Sequence, residues 1–174
     1  MDSSAVVFQV AIQVLLFLVL IVAATTDVLY KKVYNWLTYP AIAFGLTLGY
    51  CVGHLGDHLA GLGVAGTIFG VAALTGGVGR GDWKLISAIG AIKGLEFCIW
   101  AIFYSSLFGA ALALGFLVYH GRLGLGLKRT ARRSVGLAVA DMPDDPVAQK
   151  LPYGVAIAFG TFFAWTLTEN MVIA

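Results

Sequence analysis

Charge is what this chain has least of. Lys, Arg, Asp and Glu together make up 11% of its 174 residues, against about a quarter in an ordinary soluble domain. That scarcity excludes a water-exposed globule with a normal surface and puts most of the polypeptide in lipid. The net charge is only +2 and no basic stripe is interleaved with aromatics, so nucleic acid is not an expected partner. Cysteine is nearly absent too: Cys51 and Cys98 stand in separate apolar runs without Cys-x-x-Cys spacing. Neither a zinc site nor a disulfide framework follows from that pattern, and each reads as a buried thiol. No Lys or Arg precedes Phe8, where a cleavable secretion signal needs positive charge. The first apolar run has the full length of a membrane span, roughly 20 residues, and reads as a retained helix.

What the chain does have is apolar length and glycine. Hydrophobic residues make up 60% and glycines number 22, a combination suited to closely packed transmembrane helices. The apolar runs predict an all-α polytopic membrane protein with six spans, at about 5–26, 36–53, 59–76, 83–92, 97–119 and 152–172. The fourth is short of the roughly 17–25 residues a crossing needs. Lys93-Gly94-Leu95-Glu96 reads as a tight charged turn, which makes spans four and five a helical hairpin. No repeat of fixed period and no separate soluble domain are visible, so residues 1–174 read as one transmembrane domain.

The basic residues choose between topologies. With six spans and an external N-terminus, the internal loops hold Lys31, Lys32, Arg80, Lys84, Arg122, Lys128, Arg129, Arg132, Arg133 and Lys150. Only Lys93 is then external, whereas five spans split the basic residues between the two sides. The positive-inside rule prefers six, with both termini outside. Residues 121–150 become a cytoplasmic loop, whose Lys128–Arg133 cluster either sets topology or rests on anionic lipid. Within it, Asp141-Met142-Pro143-Asp144-Asp145-Pro146 reads as a turn before the last helix.

This topology brings two acids to one membrane face. Asp27 closes the first apolar run, and Asp82 lies in Gly79-Arg80-Gly81-Asp82 at the start of the fourth. Ionisable residues at such positions are expensive and are functional candidates by default. Taken singly, Asp82 has the position of a helix cap and Asp27 that of a solvated boundary residue. Together they fit hydrolysis, in which one carboxylate activates water and a protonated one polarises a carbonyl. Carboxylates about 3 Å apart cannot both ionise, so such a pair shares one proton. Gly79 and Gly81 permit unusual backbone angles and close approach. Helix direction adds a distinction: a helix start favours a carboxylate and a helix end disfavours one. On that ground Asp82 is expected to be the base and Asp27 to carry the proton.

At these residues the chain resembles the type IV prepilin peptidases, membrane aspartic peptidases that remove leader peptides from pilin precursors. Their Gly-x-Gly-Asp motif, followed by a basic residue and an apolar helix, reads here Gly79-Arg80-Gly81-Asp82-Trp83-Lys84-Leu85. Their first aspartate precedes a basic turn and an Ile-Pro-Asn-like helix entry. The corresponding stretch is Asp27-Val28-Leu29-Tyr30-Lys31-Lys32-Val33-Tyr34-Asn35, with Tyr34 in place of the usual proline. The last span opens Pro152-Tyr153-Gly154, also similar to the family. The resemblance implies an Asp27/Asp82 catalytic dyad supported by Gly79, Gly81, Lys84 and Asn35. It implies cleavage of pilin or pseudopilin precursors at the cytoplasmic face of the inner membrane, without metal or organic cofactor. Longer members carry a domain with paired Cys-x-x-Cys motifs and methylate the new pilin N-terminus; nothing here matches it. The compact form is similar to the peptidases of Flp-type, tight-adherence pili, and peptidase activity without methyl transfer is expected.

Other features carry weaker signals. His54-Leu55-Gly56-Asp57-His58 has metal-ligand spacing but falls in an external loop, where a polar hairpin turn is the plainer reading. Gly45, Gly49 and Gly53, and Gly66 and Gly70, form small-residue faces for helix packing. Asn35 and Thr38 are candidate caps of span two, with Asn35 also a candidate neighbour of Asp27, and Glu169 and Asn170 mark the outer end of the last span. Three other functions stay open: a presenilin-like protease acting within transmembrane helices, a proton-coupled transporter using the aspartates as a relay, and a non-catalytic assembly platform.

Overall fold

The computed structural model describes residues 3–74, 78–119 and 153–173. Among the described residues the chain is entirely helical, in the order α1 (Ser3–Tyr30), α2 (Asn35–Cys51), α3 (Leu55–Leu74), α4 (Arg80–Lys93), α5 (Leu95–Tyr119) and α6 (Tyr153–Ile173). Each falls on one of the six apolar runs. Three of them, α1, α3 and α5, are long and apolar enough to cross a membrane. The expected cytoplasmic loop, 121–150, lies outside the described residues.

The helix limits depart from the apolar runs where polar residues join a helix. α1 runs past Thr26 to Tyr30, so Asp27 sits inside its last turn rather than beyond its end. The stop comes at Lys31, which takes a left-handed φ of 54° and donates its N–H to the Asp27 carbonyl at 2.9 Å, as in an αL cap. α3 begins at Leu55, so Asp57 and His58 lie in its first turn and not in a loop. Asn35 is the first helical residue of α2 and makes no cap with its side chain; its carbonyl accepts the Thr38 hydroxyl at 3.5 Å. Cys51 is exposed, contrary to the reading of both thiols as buried, while Cys98 is buried.

α4 is the short helix around which the others pack. At 14 residues it is about 21 Å long, well short of a hydrocarbon core of roughly 30 Å. Every residue from Leu85 to Ile92 is buried, and all five other helices touch it. A helix shielded from lipid in this way has no need to match the bilayer's thickness. Its closest approach is to α3, where a Cβ on Gly61 would fall 2.5 Å from the Gly90 carbonyl oxygen. Backbones in lipid approach this closely only through small residues. Gly45 of α2 plays the same part against Ala91.

A single residue, Gly94 at φ 85°, joins α4 to α5. The first turn of α3 pins this link: the Leu95 N–H donates to Asp57 Oδ1 at 3.2 Å, and His58 Nδ1 lies 2.8 Å from the Ala91 carbonyl oxygen. Buried His58 thus caps one of the carbonyls that the end of α4 leaves unpaired. Beyond the link α5 packs chiefly along α6, with the Ser105 hydroxyl on the Ile157 carbonyl at 3.3 Å and Tyr104 edge-on to Phe163. The far end of the bundle is therefore tied by Asp57 and His58. The near end gathers the last turn of α1 and the first turns of α2, α4 and α6.

Candidate active site

Asp27 is the buried acid of the near end, with 6% of its surface exposed. Its Oδ2 accepts the Gly154 N–H at 2.7 Å, and the Val155 N–H follows in the same turn. These are unpaired donors of the first turn of α6, the groups that make helix starts anion sites. Gly154 is required there by space: a Cβ on it would lie 2.9 Å from Oδ2 and 3.1 Å from Cβ and Cγ of Asp27. Lys31, just past the end of α1, also acts electrostatically on the carboxylate.

Asp82 is the third residue of α4 after the N-cap Gly79. Its carboxylate folds back toward Gly79, in the position of the acidic half of a capping box. A Cβ on Gly79 would fall 2.7 Å from Oδ2, so glycine keeps that return open. Gly81 serves a different contact, lying against Val33 of the α1–α2 turn, where a Cβ would meet Val33 Cβ at 3.1 Å. That contact sets the start of α4 against the end of α1. Asp27 and Asp82 then lie close enough for their charges to interact.

The structure thus brings Asp27, Asp82, Gly79 and Gly81 together at one end of the bundle. It pairs the other two candidates with each other: Lys84 Nζ donates to Asn35 Oδ1 at 2.7 Å and stands 5.2 Å from the centre of the Tyr39 ring. Asn35 therefore ties α2 to α4 instead of reaching for Asp27. Asp57 and His58, the sequence's metal-spaced pair, face the α4–α5 link at the opposite end.

Helix direction does not by itself divide the roles of the two acids. Asp27 is at the negative end of α1, but it also meets the positive end of α6 through the Gly154 N–H. Each carboxylate is therefore held by one helix start, Asp82 by α4 and Asp27 by α6. Sequence reasoning missed this second partner. Pro152-Tyr153-Gly154 was visible as a helix entry, but nothing in one sequence says which acid that entry faces. Tyr153 joins the site with Gly154 and interacts electrostatically with Asp82.

The arrangement sets two carboxylates within electrostatic range of each other, beside the Gly154 N–H and near Lys31. The model of the type IV leader peptidase family matches residues 14–114, a stretch that contains both acids. A prepilin leader peptidase/N-methyltransferase of Bacillus subtilis (strain 168) is 30% identical over 158 residues, 88% of this chain and 54% of the relative. The chain thus spans about half the length of the curated relative it matches. No solved structure matches it significantly. With more than half of its length matched to the family, and the two acids inside the match, this chain belongs to the type IV leader peptidase family.

Proposed function

We propose that this protein is an aspartic endopeptidase that removes leader peptides from type IV pilin precursors. The observation that carries the proposal is the meeting of Asp27 and Asp82 at one end of the bundle, each against a helix start. In this reading one carboxylate takes a proton from water as its oxygen attacks the scissile carbonyl carbon. The other, protonated, hydrogen-bonds the carbonyl oxygen as charge develops on it. Collapse of the tetrahedral intermediate breaks the C–N bond, and a carboxyl proton passes to the leaving amine. The pair returns to sharing one proton, and no metal or cofactor enters.

The site is proposed to face the cytoplasm at the inner membrane, in line with the ten basic residues assigned to that side. Both acids lie within the last or first turn of a helix, which suits cutting a precursor where its apolar helix enters the membrane. The substrate is proposed to be a Flp-type precursor, processed without methyl transfer, since residues 1–174 hold no paired Cys-x-x-Cys motifs. The test is co-expression with a small pilin precursor, read by immunoblot and by the mass of the processed pilin. Wild type is expected to remove the leader and add no methyl group, while Asp27→Ala and Asp82→Ala remove nothing. Cleavage that survives either substitution defeats the dyad; a wild type that never cleaves favours a relay or a platform.

A further inference from the structure

We propose that Asn35 and Lys84 are positioning residues for the aspartate pair, aiming Asp82 by fixing the first turn of α4; this rests on the peptidase reading above. That turn projects past the buried stretch of its helix: Gly79 and Arg80 are exposed, residues 81–84 are half-buried, and full burial begins at Leu85. The packing that holds Leu85–Ile92 therefore does not hold the turn that carries Asp82, which is secured from its sides. Trp83 faces α3, where its ring covers Gly70 so closely that a Cβ there would lie 3.2 Å from Cε2. Gly81 and Lys84, three residues apart and so on one face of the helix, meet other neighbours. Gly81 abuts Val33 of the α1–α2 link. Lys84 Nζ donates to Asn35 Oδ1 at 2.7 Å and stands 5.2 Å from the centre of the Tyr39 ring.

A helical turn held at one point can swing about it, whereas a second hold one turn on fixes its rotation. Gly81 supplies the first contact, and the Lys84–Asn35 bond supplies the direction. Side-chain atoms stand about 5–6 Å from a helix axis, so a rotation of about 10° moves a carboxylate by about 1 Å. Displacements of that size can cost catalysis about a hundredfold. The bond also joins the two acid-bearing segments to each other: Asn35 opens the helix that follows Asp27, and Lys84 lies just beyond Asp82 on α4. The ammonium is spent on an amide oxygen and a ring of α2. Lys84 thus acts on the pair as a tie between helices, and Asn35 is half of that tie.

The test uses the purified full chain in detergent, with steady-state cleavage of a pilin precursor and thermal unfolding measured in parallel. Asn35→Ala removes the tie and leaves the Lys84 charge in place; Lys84→Met removes both. Each is expected to lower kcat about tenfold, short of the roughly hundredfold that a full 1 Å displacement can cost, with KM within about twofold. The double variant is expected to be no slower than either single one, because both remove the same bond. Asn35→Asp, which keeps the acceptor oxygen, is expected to restore kcat. Its comparison with Asn35→Ala tests the tie even where Lys84→Met fails to fold. Wild-type kcat in folded Asn35→Ala overturns the proposal. So does a loss in Lys84→Met alone, which would assign the effect to charge, or a loss confined to KM, which would place the two residues in precursor binding. A loss that merely tracks the folded fraction overturns it as well. A wild type that does not cleave defeats the peptidase reading instead, so the two failures are told apart.

Discussion

Placing a methyl on Gly154 sets helix propensity against site geometry, and the structure says which dominates. In Gly154→Ala the new carbon would start 2.9 Å from Asp27 Oδ2 and 3.1 Å from its Cβ and Cγ. Ordinary contacts between such atoms lie near 3.5–4.0 Å, so α6 or the carboxylate has to retreat by about half an ångström. The retreat acts directly on the 2.7 Å bond between the Gly154 N–H and Oδ2. A hydrogen bond to a charged group is worth about 1.5–3 kcal/mol, and misplacement by about 1 Å costs catalysis up to a hundredfold. Against this, alanine favours a helix over glycine by roughly 0.5–1 kcal/mol, which offsets part of the strain in overall stability. Cleavage is therefore expected to fall roughly ten- to a hundredfold, while the unfolding midpoint in detergent moves by only a few degrees. Steady-state cleavage of a pilin precursor beside thermal unfolding of the same preparation separates the two effects. Wild-type kcat in a folded variant would refute the argument, and a loss that merely tracks the folded fraction would assign Gly154 to packing alone.

Three further outcomes follow from other parts of the fold. Gly79→Ala puts a methyl 2.7 Å from Asp82 Oδ2 and is expected to lower kcat at least about tenfold with little change in thermal stability; equal losses of both would contradict a local effect. His58→Ala strips the Ala91 carbonyl of its partner and is expected to destabilise the bundle by about 1–3 kcal/mol plus a cavity term. Because His58 is at the end opposite the aspartates, activity per folded molecule is expected to be unchanged in a denaturation and cleavage series. Cys51, exposed at the end of α2, is expected to react with a membrane-impermeant maleimide on spheroplasts, whereas buried Cys98 stays unlabelled. Labelling of Cys51 only after permeabilisation would reverse the proposed orientation.

The order and approximate limits of the helices were legible in the apolar runs, because each run of hydrophobic residues in lipid has to close its backbone bonds internally. Even the shortness of α4 was visible, as was the break at Gly94. What the runs concealed was polar sequence absorbed into helices. Asp57 and His58 belong to α3 because their side chains are spent on Leu95 and Ala91, partners some 33 to 38 residues away that no local pattern announces. Asp27 lies within α1 because the stop is made by the backbone of Lys31, a residue type with no special preference for that conformation. At the candidate site, Asp82 and its glycines stand together in the sequence and were read together. Gly154 is 127 positions from Asp27, and only the folded chain shows that it faces this acid. Lys84 and Asn35 were singled out separately; that they bond to each other required three dimensions.

If Asp27 and Asp82 work as one unit, the effects of removing them are non-additive. Single-turnover cleavage of a pilin precursor would be compared for wild type, Asp27→Asn, Asp82→Asn and the double variant, all checked for folding. When two groups share one task, removing either costs as much as removing both. Both single variants and the double variant are expected to fall to the same background rate. A single variant that keeps a substantial fraction of wild-type activity, or a double variant slower than either by the product of their losses, would contradict a shared role.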